Sequence, residues 1–322
     1  MEAQEGLLSM SSSLTALPGP ECSNNSSCAI GAFDGIHLGH QHILRNTVAY
    51  ARQEGLDSYA VLFDPLPSQF FGRLGMDQRI LLPDEQKEML EHLGITKTLI
   101  LPFTAEIADL PAESFLERMQ SVLHCRKLFM GEDFSLGKGR TADPAVITKL
   151  GEKLNYKTEV IPKDIMDGEV ISSTRIRSLL NSGRVEEANR LLGYPFFFSG
   201  ETIHGAARGR KLGFPTLNIS IPPEKTRLPN GVYAVNVLVD GQKYASVTNI
   251  GVRPTFETDD RGTLAEAFLL NAAGDFYGKT IRLEFIKMLR EEIRFPSAEA
   301  LKEQISRDIR NAEEILSQHN RQ

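Results

Sequence analysis

Tryptophan is absent from the 322 residues, and cysteine occurs only three times, at Cys22, Cys28 and Cys125. Three thiols without metal-like spacing argue against a disulfide framework and suggest reduced cysteines in a cytoplasmic protein. The seven histidines are scattered and none joins a Cys/His cluster, which speaks against a structural zinc site. No apolar run approaches the roughly 18 residues of a membrane span. Glu2 and Glu5 stand where a signal peptide carries cations, so no leader is expected; Met10 is as good a start as Met1. Positive charge is not in excess either. Lys and Arg number 36 against 42 Asp and Glu, a net charge of -6, which leaves no basic face for nucleic acid. What remains, 41% apolar and 24% charged, is ordinary for a globular chain long enough for two domains.

Residues 1–27, rich in Ser, Asn, Pro and Gly, read as a disordered arm. From 28 to 193, apolar runs at 28–33, 59–63, 97–101, 127–130 and 157–161 alternate with helical periodicity at 39–54, 84–93, 112–123 and 144–154. Such alternation predicts a parallel sheet covered by helices, with ligands beyond the carboxyl ends of its strands. A helix over 185–192 ends at Gly193, and Tyr194-Pro195 breaks the chain. From 194 to 322 the pattern changes to short runs at 197–203, 231–239, 243–250, 264–270 and 280–288, with Asp240-Gly241 as a hairpin signal. That predicts an antiparallel barrel. A closing amphipathic helix, about 297–317, carries a stripe from Ala300 and Leu301 to Leu316 that suits packing on the barrel.

The chain is organised around Cys28–His42, where a small apolar strand ends at Asp34-Gly35 and a helix follows. His37 falls in the loop and His40 in the first helical turn, where unpaired N–H groups favour an anion. Two imidazoles there can donate to charge that grows on a phosphate, and Gly39 lets backbone approach a ligand. His-Leu-Gly-His after Phe-Asp-Gly resembles the HxGH motif of the nucleotidyltransferase superfamily, in the form seen in FMN adenylyltransferases. Ser172-Ser173-Thr174-Arg175-Ile176-Arg177 offers hydroxyls that can cap a helix, or, with Arg175, hold a triphosphate. It resembles the second nucleotide motif of the same enzymes. The loop Gly131–Arg140, with Lys138 and Arg140 among glycines, can wrap phosphates or be an ordinary surface loop.

The second half has its own motif, Gly205-Ala206-Ala207-Arg208-Gly209-Arg210-Lys211-Leu212-Gly213-Phe214-Pro215-Thr216-Leu217-Asn218. On a strand Thr216 and Asn218 point to one side, and two neutral oxygens can hold a Mg²⁺ completed by water and nucleotide phosphates. The segment looks like the riboflavin kinase motif. Leu228–Ala234, Asn249–Phe256, Gly274–Lys279 and Leu289–Glu292 with Phe295 follow in that family's order.

From about Cys28 to the final helix the chain therefore resembles the bacterial bifunctional riboflavin kinase/FMN adenylyltransferase family. The resemblance implies an α/β nucleotidyltransferase domain with a Rossmann-like parallel sheet, followed by a β-barrel riboflavin kinase domain with a C-terminal helix. It implies phosphorylation of riboflavin to FMN, then adenylylation of FMN to FAD, with ATP as co-substrate and Mg²⁺ as cofactor. Glu266 corresponds to the kinase's catalytic base, and His37 and His40 to the adenylyltransferase's catalytic histidines. Gly31, Phe33, Asp34, Gly35, Ser173, Thr174 and Arg175 would join those histidines in binding ATP, and Asp64, Asp133 and Phe134 would meet the flavin. In the kinase, Gly205, Arg208, Gly209, Arg210, Lys211, Gly213 and Pro215 would bind ATP, Asn249 and Arg290 the flavin, and Thr216 and Asn218 the metal. Three positions depart from the family pattern: Leu66 and Phe268 replace histidines, and Leu136 an aromatic. Partners are expected to be riboflavin, FMN, FAD and ATP, with no nucleic acid or membrane and with room for a weak homo-oligomer. Another small-molecule nucleotidyltransferase with an accessory barrel, or a flavin sensor without turnover, are the competing readings.

Overall fold

A computed structural model describes residues 25–203, 216–252, 263–272 and 276–321. Two compact units share the chain: one holds the described residues up to Met76 and Leu81–Ser172, the other Asp77–Ile80 and the described residues from Ser173 on. Most of the predicted arm lies outside the described residues. Among them, no helix is long and apolar enough to cross a membrane.

In the first unit the chain runs β1 (Ser26–Ile30), α1 (Leu38–Glu54), β2 (Asp57–Asp64), α2 (Pro67–Phe70), α3 (Pro83–His92) and β3 (Lys97–Pro102). It continues through α4 (Ala105–Ala108), α5 (Ala112–Leu123), β4 (Cys125–Gly131), α6 (Pro144–Lys153), β5 (Lys157–Ile161) and the short pair β6 (Ile165–Met166) and β7 (Glu169–Val170). The sheet has the order β3-β2-β1-β4-β5 with every neighbour parallel, as the alternation predicted. β1 is central and buried throughout, which explains its small residues. Even its two serines are fully enclosed, because the Ser26 hydroxyl donates to the Leu123 carbonyl at 2.6 Å and Ser27 to Thr47 at 2.9 Å. The strand thus starts two residues before the predicted 28 and stops at Ile30, leaving Gly31-Ala32-Phe33 in the loop. The order in which strands are laid down reverses between β1 and β4, so a crevice opens at their carboxyl ends, a topological switch point.

The second unit begins with α7 (Ser173–Asn181) and α8 (Val185–Leu192). There follow β8 (Phe196–Ile203), β9 (Leu217–Ser220), β10 (Gly231–Val239), β11 (Gln242–Val252), β12 (Thr263–Leu269), β13 (Thr280–Glu291) and α9 (Ala298–His319). The six strands close into a barrel of order β10-β11-β12-β9-β8-β13, all antiparallel. Phe196, Phe198, Tyr233 and Phe285 are buried together edge to face, with centroids 5.1 to 5.5 Å apart. α8 is pinned to the barrel by Asn189, which donates to the Phe285 carbonyl and accepts from the Phe196 N–H, both at 2.8 Å. Ala312 and Leu316 of α9 pack on Val232, Ala234, Val247 and Ile286, so the predicted stripe does cover the barrel.

Candidate active sites

The loop between β1 and α1 is built from tight backbone turns, with Phe33, Gly35 and Ile36 at φ 46, 85 and 34°. Gln86 donates to the Ala32 and Phe33 carbonyls at 3.2 and 3.1 Å, and Gln41 to Ile36 at 2.9 Å. Asp34, expected to face ATP, is 2% exposed, and its Oδ1 accepts from the Leu81 N–H at 3.3 Å. His37 caps α1, its Nδ1 accepting from the His40 N–H at 3.3 Å, so a neutral His37 carries its proton on Nε2. The two rings stack with centroids 3.7 Å apart and 17° between planes. Between them in sequence is Gly39, where a Cβ would stand 3.3 Å from the His37 ring, closer than most such contacts. Loss of solvent, and then the neighbouring His37 charge, hold the His40 imidazole well below the ordinary histidine range. Its Nδ1 is buried with no hydrogen-bond partner among the described residues. Phe33 meets the same ring edge to face at 5.3 Å.

At the switch point lies a cavity of about 710 Å³. It brings together Gly31, Phe33, His40, Asp133 and Phe134, which lie far apart in sequence; Asp34, Gly35, His37 and Asp64 do not line it. Its apolar wall includes Phe63, Phe71, Phe103 and Phe115, and its rim carries Arg73, Lys138 and Arg140. Phe71, Phe103 and Arg73 were not anticipated, because nothing in their local pattern marks them. The departures from the family pattern are packed rather than idle. Leu66 is 1% exposed, and Leu136 exchanges backbone hydrogen bonds with Ala142 at 2.9 and 3.1 Å. Ser173, Thr174 and Arg175 open α7 in the second unit, where the Arg177 Nε donates to the Gln78 carbonyl at 2.7 Å.

On the barrel, register decides the site. Asn218 on β9 pairs with Glu266 on β12, Glu266 with Asn249 on β11, Asn249 with Val232 on β10, and Val232 with Arg290 on β13. Directly opposed residues share a face, so one row crosses five strands. Glu266 is exposed between buried Ala265 and Ala267, and the surface it faces is a cavity of about 720 Å³. Thr216, Asn249, Glu266 and Arg290 line it with Val232, Val247 and Phe268 and with Leu301, Ile305 and Asp308 of α9. Asn218 is 5% exposed and does not itself line the cavity. Asn249 donates to the Glu292 carboxylate at 3.4 Å. Gly205, Arg208, Gly209, Arg210, Lys211, Gly213 and Pro215 lie outside the described residues.

Comparison with known proteins finds a family match for each half of the chain. Residues 192–316 match the riboflavin kinase family model and residues 19–175 the FAD synthetase model. The chain is 37% identical over 290 residues to the bifunctional riboflavin kinase/FMN adenylyltransferase of Pseudomonas fluorescens, covering 89% of this chain and 92% of that one. With the Escherichia coli (strain K12) enzyme of the same name it shares 36% over 290 residues, covering 89% and 91%. A crystal structure named macrolide-efflux protein from Streptococcus pneumoniae is similar with a TM-score of 0.84 and 27% identity, over 94% of this chain and 97% of that one. On two family models that together span most of its length, and on relatives matched nearly end to end, the chain belongs to the bifunctional riboflavin kinase/FMN adenylyltransferase family.

Proposed function

We propose that the two reactions of this enzyme run at the two cavities described above. The chain phosphorylates riboflavin to FMN with ATP, and adenylylates FMN to FAD with release of pyrophosphate. Kinase chemistry is assigned to residues 194–322 and adenylyl transfer to 28–193; the matched segments 192–316 and 19–175 support that division. The carrying observation is the register row Asn218–Glu266–Asn249, because it sets the Glu266 carboxylate, which lines the barrel cavity with Asn249, beside the buried Asn218 carboxamide.

In the kinase step Glu266 takes the proton of the ribityl 5′-hydroxyl as its oxygen bonds to the γ-phosphorus and ADP leaves. Thr216 and Asn218 fit a metal held by neutral oxygens, and would hold Mg²⁺, which when bound neutralises phosphate charge. Asn249 and Arg290 hold the flavin. In the second step an FMN phosphate oxygen bonds to the α-phosphorus of ATP while pyrophosphate departs. His37 and His40 donate hydrogen bonds to the growing phosphate charge, with Gly31, Phe33 and Gly35 shaping the nucleotide loop and Asp34 fixing it. By motif alone Ser173, Thr174 and Arg175 bind the ATP phosphates of that step, and Asp64, Asp133 and Phe134 the flavin. We place the enzyme in the cytoplasm, acting on small molecules and not on nucleic acid or membrane, with at most weak self-association.

The test is chromatography of riboflavin, FMN and FAD after incubation with riboflavin, ATP and Mg²⁺. His40→Ala should accumulate FMN, and Asn218→Ala should form neither product while still adenylylating supplied FMN. Kinase activity surviving in Asn218→Ala would sink the assignment of the barrel row.

A further inference from the structure

The stripe of α9 is divided between two tasks. Its second half is packing, with Ala312 and Leu316 only 0% and 1% exposed against the barrel. Its first half lines the barrel cavity, and there the stripe is interrupted by a carboxylate: Asp308 is 2% exposed. Burial of a carboxylate is unfavourable unless it is fully paired, and an apolar residue would serve a helix–barrel seam as well or better. Its partners are specific. Oδ2 accepts from Arg290 Nη2 at 2.9 Å and Nε at 3.0 Å, and Oδ1 from Arg290 Nε at 3.2 Å. Oδ1 also accepts from Gln304 Nε2 at 2.9 Å, one turn back on the helix. The Arg290 Nη1 donates to the Glu291 carbonyl at 3.0 Å, and the guanidinium carbon lies 5.7 Å from the centre of the Phe295 ring. A guanidinium gripped this way has one orientation, and among the described residues further N–H donors of its fork are left for a ligand.

We infer that Asp308 and Gln304 are positioning residues for riboflavin phosphorylation. They hold Arg290 in the pose in which it meets the flavin, so a helix outside the barrel sets riboflavin affinity. The inference rests on the reading above that Arg290 contacts the flavin, and the test separates the two. Initial rates of FMN formation by the full chain are measured against riboflavin and against ATP for wild type, Arg290→Ala, Asp308→Asn, Asp308→Glu and Gln304→Ala. Adenylylation of supplied FMN and the Tm report on the fold. Asp308→Asn should raise the riboflavin KM about tenfold with kcat and the ATP KM within about twofold, the pattern of lost binding rather than lost chemistry. Asp308→Glu should recover part of the loss, and Gln304→Ala should raise the riboflavin KM about threefold. If Arg290→Ala raises the riboflavin KM and neither Asp308→Asn nor Gln304→Ala does, the positioning role is wrong and the flavin contact stands. If Arg290→Ala leaves it unchanged, the flavin contact fails and takes the inference with it. Parallel shifts in kcat and both KM values with a lowered Tm would make the ion pair structural only. Should Asp308→Asn not fold, Gln304→Ala decides alone.

Discussion

His40, proposed above to act on phosphate, also bears on stability. Stacked on His37 and stripped of solvent, it stays neutral at pH 7 and can donate to phosphate without carrying a resident charge. Its lowered pKa has a signed consequence. The unfolded chain binds a proton at this site near an ordinary histidine pKa of about 6.5, and the folded chain does so only at lower pH. Stability is therefore intact above about pH 6.5 and is lost as pH falls below it. The wild-type Tm should fall between about pH 7 and pH 5 more steeply than that of His40→Asn; parallel curves in thermal scans would refute the assignment. The histidines were legible in the sequence because motif and helix start are local. That Asp34 turns inward to hold Leu81 was not, since its partner is 47 residues away.

At the scale of elements, β12 and α9 show how one face acquires two uses. β12 sends Ala265 and Ala267 into the barrel and Glu266, followed by Phe268, to the outside, a plain period-two strand. Sequence alone makes such a glutamate an ordinary solvated residue. What changes its meaning is α9 standing over that face and enclosing a cavity. A signal for this was present in the helix: Asp308 falls on the apolar stripe between Ile305 and Ala312, and a charge there marks a seam that is not only packing. Where α9 does only pack, truncation should cost stability without touching substrate affinity. Leu316→Ala, at a site 1% exposed, should destabilise the fold by about 2–5 kcal/mol, the range for a buried leucine. Denaturant unfolding measures it, and a loss below about 1 kcal/mol would mean that the helix end is not docked as described.

The whole molecule has two compact units, each with its own core and its own cavity, to which the two reactions are assigned above as a proposal. A substitution in one cavity should leave the other working. His40→Ala and Asn218→Ala chains, each unable to make FAD from riboflavin, should therefore do so when mixed, because FMN made by one chain can be adenylylated by the other. The rate should rise with protein concentration; no FAD from the mixture would mean that FMN does not pass between chains. The sequence by itself determined much of this plan. Strand–helix alternation, the switch to short strands after Gly193, the HxGH loop and the Pro-Thr-Leu-Asn motif are all set by neighbours within a few residues. Only the tertiary structure decided that Asn218, Glu266, Asn249 and Arg290 form one row, and that Asp308 grips its end. The physical reason is register: a one-residue slip between strands moves every side chain to the opposite face, and nothing local to any one strand states which partner residue it will meet.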